Sequence, residues 1–203
     1  MKTNENRLAI GIWCLIVWGV LSTVASACQP QAASVTEQTS RAVPAVVATV
    51  SAAAAQTVVA FLSWYKNRIR EANQIPLVNQ QAGKPYSVNL KNGERYLAYL
   101  KSSQLLTDTY LNGWRLFFRE LQAGFRLSPQ TEGPPTGFDY DLVMLNQDVG
   151  MQLDSLNALK IKQVIVLKGR AAVTFVLFDT YEFRLVKQAD RWLINEILNL
   201  SQE

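Results

Sequence analysis

Asp139, Asp141 and Asp148 form the densest carboxylate group in the sequence, with Asp154 following close behind. Two carboxylates at a suitable separation can divide acid and base roles, and three oxygen ligands can hold calcium. The stretch Asp139-Tyr140-Asp141 lacks the third regularly spaced ligand and the following glycine of a calcium loop. The same residues also suit solvated turns, and Asp139 or Asp141 is placed to cap a helix beginning near Leu142. Glu182 and Arg184 alternate with apolar neighbours, which sets them on one face of a strand. There they line a polar pocket or form a cross-strand ion pair.

The chemistry that the remaining residue types exclude is as informative. The chain has no histidine, and its two cysteines are Cys14 and Cys28. The commonest general base and transition-metal ligand are therefore missing, and with Cys14 inside the apolar leader and Cys28 just after it, the folded domain can form no internal disulfide and no thiolate metal site. No phosphate loop, nucleophile elbow or zinc spacing occurs, so no metal or cofactor is implied. A formal charge of +4, dispersed along the chain, does not make a nucleic-acid footprint.

Cys28 has a different context. Met1 to Arg7 is polar and carries Lys2 and Arg7, Leu8 to Leu21 is uncharged and apolar, and Ser22 to Ala27 is rich in small residues. These are the three regions of an export signal, oriented by its basic start so that the bulk of the chain leaves the cytoplasm. Val24-Ala25-Ser26-Ala27-Cys28 places small residues at the cleavage positions and a cysteine just after them. This resembles the lipobox of bacterial lipoproteins, with Ala25 where leucine is usual. The resemblance implies cleavage between Ala27 and Cys28 and acylation of Cys28 by diacylglycerol and a fatty acid such as palmitate. Several acyl chains give stable anchoring where one does not. Gln29 after the cysteine implies sorting to the periplasmic face of the outer membrane rather than retention at the inner one. Ordinary cleavage after Ala27, or an uncleaved span over Leu8 to Ala27, are the competing readings.

Residues 28–52, rich in Ala, Val, Ser, Thr and Gln with Pro30 and Pro44, read as a flexible tether. The remaining residues, 53–203, fit one domain. An apolar fraction of 49% with five Trp, seven Tyr and eight Phe supplies a core. From about Ala53 to Asn73, Val58, Phe61, Leu62, Tyr65 and Ile69 recur at helical spacing, and Ile75-Pro76 stops the helix. Glu94 to Ser103 predicts a short helix and Gln104 to Leu127 a longer one. The longer one carries an aromatic stripe of Tyr110, Trp114, Phe117, Phe118 and Phe125 that suits packing on a sheet. Lys66, Arg68 and Arg70 beside Trp64 read as a solvated helix face. Ser128 to Gly137, with three prolines and two glycines, predicts an irregular exposed loop.

Four short β-branched and aromatic runs follow: Lys160 to Leu167, Ala171 to Phe178, Tyr181 to Lys187 and Arg191 to Leu198. Val173, Phe175 and Leu177 share one face, as do Tyr181, Phe183 and Leu185. Helices first and an antiparallel four-stranded meander afterwards predict an α+β fold with the helices packed on one sheet face.

The helix bearing Phe61, Leu62, Trp64 and Tyr65, the segment Asp139 to Asp148, and the closing Asp190-Arg191-Trp192-Leu193-Ile194-Asn195-Glu196-Ile197 together resemble a domain of unknown function. It is found in bacterial envelope lipoproteins of the YbjP type, itself similar to the cone-shaped nuclear-transport-factor-two-like superfold. The resemblance spans about Ala53 to Asn199 and implies a cone-like domain, with Glu182 and Arg184 facing its concavity. The leading expectation is a lipid-anchored, non-catalytic envelope protein binding a protein or a small apolar ligand. An inhibitor or immunity protein against an envelope-acting enzyme is the alternative. An acid-base enzyme using Asp139, Asp141 or Glu182 is the third.

Overall fold

The computed structural model describes residues 42–202. The leader, Ala27 and Cys28 lie outside them, as does the tether before Ala42. The fold is α+β. Helix α1 (Ala42–Asn73) is followed by a two-stranded ribbon, β1 (Val78–Asn79) with β2 (Ser87–Val88), then α2 (Leu90–Lys101) and α3 (Asp108–Leu127). A loop leads to short α4 (Val149–Asp154) and a 3₁₀ turn over Leu156–Ala158. The chain closes on β3 (Lys160–Leu167), β4 (Arg170–Leu177), β5 (Asp179–Gln188) and β6 (Arg191–Asn199).

The meander has the predicted order β3-β4-β5-β6, antiparallel throughout. Its registers set Val173 opposite Phe183 and Phe183 opposite Ile197. Every second residue of β4 and β5 therefore faces the helices, and Val173, Phe175, Leu177, Tyr181, Phe183 and Leu185 are all buried. The β3–β4 turn is Lys168-Gly169, both at positive φ (46° and 75°). That pair of left-handed residues matches the twist of a two-residue hairpin.

Helix α1 lies against β3, β4 and β6. Ala54, Val58, Phe61, Leu62 and Tyr65 form its buried stripe, and Phe61 meets Phe183 at 6.3 Å between ring centroids. The helix begins at Ala42 rather than near Ala53, so it takes in positions 42–52 of the expected tether. Those positions hold four alanines and four valines and no charged residue, so they show no polar–apolar contrast, and Pro44 falls in the first turn, where no backbone N–H is needed. It ends as predicted at Ile75-Pro76, with the Ile75 N–H donating back to the Ala72 carbonyl at 3.0 Å.

The predicted helix from Gln104 is corrected to start at Asp108. Leu105 to Thr107 instead runs beside β6: the Ile194 N–H donates to the Leu105 carbonyl at 2.8 Å and the Thr107 N–H to the Ile194 carbonyl at 2.9 Å. Pairing to the sheet outweighs local helix preference there. The α3 stripe is core, as its spacing suggests: Tyr110, Phe118 and Phe125 are buried, and Trp114 and Phe117 pack against them. Ser128 to Gly137 is irregular and mostly exposed, as predicted.

Candidate functional site

No helix begins near Leu142. Residues 141–146 form a tight turn instead, closed by the Asp141 N–H donating to the Asn146 carbonyl at 3.0 Å and the Leu145 N–H to the Asp141 carbonyl at 2.8 Å. Asp141 does cap, but it caps this turn: its Oδ1 accepts from the Val143 N–H at 3.0 Å and the Met144 N–H at 2.7 Å. The turn points Leu142, Val143 and Met144 into the core, which draws the carboxyl group inward with them. Its Oδ2 accepts from the Tyr65 hydroxyl on α1 at 2.5 Å. Burial raises the proton affinity of the Asp141 carboxyl above its ordinary value, and the three hydrogen bonds oppose that shift only in part.

A cleft of about 320 Å³ opens beside this carboxyl, between the end of α1, the segment leading to β1, α2 and the loop before Asp141. Ala72, Ile75, Leu77 and Leu142 supply apolar wall, and Tyr96, Phe138 and Tyr140 contribute rings. Tyr96 is buried at 4% exposure, and burial pushes its phenol and that of Tyr65 well above the usual tyrosine range. Burial, then the charges of Glu71 and Asp141, raise the Tyr99 phenol, and burial and Asp141 raise that of Tyr110; the buried Tyr99 hydroxyl has no hydrogen-bond partner among the described residues. The arrangement is one carboxyl group at the edge of an aromatic core, bordering a cleft of mixed lining in which Asn73 and Gln80 join the apolar wall.

The other predicted residues are not brought to it. Asp139 and Asp148 are exposed and line a separate depression of about 570 Å³ with Asn146 and Gln202. Asp148 occupies the position before α4 without a side-chain capping bond. Asp154 pairs with Lys66 at 3.4 Å on the surface. Glu182 and Arg184 lie on the sheet face away from the helices, where Arg184 bridges Glu182 at 2.7 Å and Glu196 at 2.8 Å. Trp64 packs on Tyr99 at 5.1 Å, and Arg68 pairs with Glu71 at 3.3 Å, so the basic face of α1 is solvated and internally paired. Among the described residues no group of three His, Cys, Asp or Glu could hold a metal ion, and no helix is long and apolar enough to cross a membrane.

Two features escaped sequence reasoning. Tyr65 reads as core by spacing, yet a buried phenol needs a polar partner, and that requirement was the available signal for the Tyr65–Asp141 bond. The second feature is a polar network at the far end of the sheet. Asp179 Oδ2 accepts from Asn146 Nδ2 at 2.5 Å, Asn199 Nδ2 at 3.1 Å and Gln152 Nε2 at 3.2 Å. The Tyr181 hydroxyl donates to Gln152 Oε1 at 2.8 Å. Its donors and acceptors satisfy one another, so it fastens the 141–146 turn and α4 to the sheet rather than awaiting a ligand. No family model, no curated protein and no solved structure matches this chain.

Proposed function

We propose that this chain is an envelope lipoprotein, anchored through Cys28 to the periplasmic face of the outer membrane. Its folded domain is a non-catalytic module that binds a small, mainly apolar ligand in the Asp141 cleft. The observation that carries the binding reading is the lining of that cleft. Apolar and aromatic residues, joined by Asn73 and Gln80, border a single carboxyl group, a mixture of apolar surface and a few polar groups that suits a small molecule. The same lining disfavours acid-base catalysis by paired carboxylates. Asp139, Asp148 and Glu182 all sit elsewhere, so Asp141 has no second carboxylate beside it in the cleft.

A protein partner, as an inhibitor would have, is the second reading, and one observation favours it. The exposed loop Ser128 to Gly137 is braced by Gln130, whose Nε2 donates to the Pro134 carbonyl at 2.8 Å and whose Oε1 accepts from the Thr136 N–H at 3.0 Å. A loop held in shape from within loses little freedom on binding.

Ile75, half-buried in the cleft wall, provides the test. Native mass spectrometry of the chain gently extracted from its own membranes should find a retained small molecule. Ile75→Trp should lose that mass while leaving the unfolding midpoint close to wild type. Equal retention by both forms, or none by wild type, would overturn the cleft as the binding site.

A further inference from the structure

Charge is distributed unevenly around Asp141. The three groups that hydrogen-bond its carboxylate, the Tyr65 hydroxyl and the Val143 and Met144 amides, are all neutral. No lysine or arginine lines the cleft, and none is among the groups acting on the carboxyl. The phenols that feel it from α1, α2 and α3 are those of Tyr65, Tyr96, Tyr99 and Tyr110, and they bring no positive charge. An inward-facing carboxylate without a counter-ion is costly in a low-dielectric surround. Several other acids of the fold do have a counter-ion: Glu94 pairs with Arg115 at 2.7 Å, Asp108 with Lys101 at 2.8 Å and Glu182 with Arg184 at 2.7 Å.

The rest of the lining has the same preference. Tyr96, Phe138 and Tyr140 border the cleft together with Asp141, and aromatic faces attract cations through the ring quadrupole. Oδ1 already accepts two N–H groups, whereas Oδ2 accepts only the Tyr65 hydroxyl, so Oδ2 retains an acceptor site. Ile75, Leu77 and Leu142 provide apolar surface beside these groups.

We infer that the cleft selects alkylammonium ligands, with the cationic nitrogen at Asp141 among the three rings and the alkyl chain along Ile75, Leu77 and Leu142. The inference rests on the small-ligand reading and adds the head-group charge to it. A neutral alcohol of the same length gains only the apolar wall. A carboxylate of that length meets an uncompensated negative charge and is excluded.

The test is a head-group series at constant chain length: hexylammonium, 1-hexanol and hexanoate, titrated at neutral pH into the isotopically labelled full chain. The Val143 and Met144 amides, which bond Asp141 directly, report binding by NMR. Hexylammonium should saturate their shifts at least about tenfold more tightly than hexanol, and hexanoate should bind weakest. Asp141→Asn, which keeps the shape and can still accept the two amides, should bring hexylammonium to the level of hexanol and leave hexanol unchanged. Equal affinity of amine and alcohol for wild type overturns the charge selection while leaving an apolar site. Tight amine binding untouched by Asp141→Asn overturns the role of Asp141. If none of the three saturates these amides, the small-ligand reading falls with the inference.

Discussion

Asp141 is the one predicted carboxylate that the fold draws inward, and its position makes the protein's stability depend on pH in an uncommon direction. Most structural carboxylates bind their protons more weakly when folded; burial makes Asp141 bind its proton more tightly. Its stabilising contribution is therefore complete below the ordinary carboxylate range and is withdrawn as pH rises through the raised folded value. Asp141→Asn mimics the neutral acid at every pH and removes that dependence. The difference in unfolding free energy, wild type minus variant, should thus fall as pH rises from about 4, the unfolded reference. Urea unfolding across a pH series measures it, and a difference that stays flat or rises would show that the carboxyl is not held in a proton-favouring site. The spacing of Asp139, Asp141 and Asp148 made them candidates together, but only the local turn decides which one points inward. That decision comes from Leu142, Val143 and Met144 entering the core, and no pattern in the acidic residues themselves carries it.

At the scale of elements, the junction between α3 and β6 turns on Thr107. Its Oγ1 accepts from the Tyr110 N–H at 3.0 Å, capping α3, and donates to Asn195 Oδ1 at 3.0 Å. Asn195 is the extra residue of a bulge, since Arg184 pairs with Glu196 while Leu185 pairs with Ile194. Thr107→Ala removes a helix cap and leaves a partly buried amide oxygen without its donor, at a cost of about 1–2 kcal/mol. Thr107→Ser should recover most of it, because the hydroxyl does both tasks. An alanine variant within about 0.5 kcal/mol of wild type in chemical denaturation would sink this account. The strands were legible because alternation and β-branching act locally: β3 falls on the predicted bounds and the other three differ by one or two residues at their ends. The stretch from Leu105 to Thr107 was not, because its partner, Ile194, lies far along the chain. The start of α1 was missed for the opposite reason. Positions 42–52 are almost uniformly small and apolar, so no amphipathic period marks them and a periodicity argument passes over them.

For the molecule as a whole, the proposal divides the work between an anchor and a binding domain. Basic residues on α1 are dispersed and partly paired, with Lys66 against Asp154 and Arg68 against Glu71. Among the described residues no helix is apolar enough to span a bilayer. On the proposed reading, membrane residence rests on acyl chains at Cys28, each buried methylene contributing about 0.8 kcal/mol. Cys28→Ala should abolish incorporation of radiolabelled palmitate and move the chain from the membrane fraction to the soluble one if the leader is still removed. Should the leader persist, the variant stays on the membrane without label and at the mass of the uncut chain, because an apolar run from Leu8 to Leu21 retains it. Either outcome leaves Cys28 as the acylated residue. Undiminished palmitate on the alanine variant would remove the anchor from the proposal and leave the cleft to stand alone.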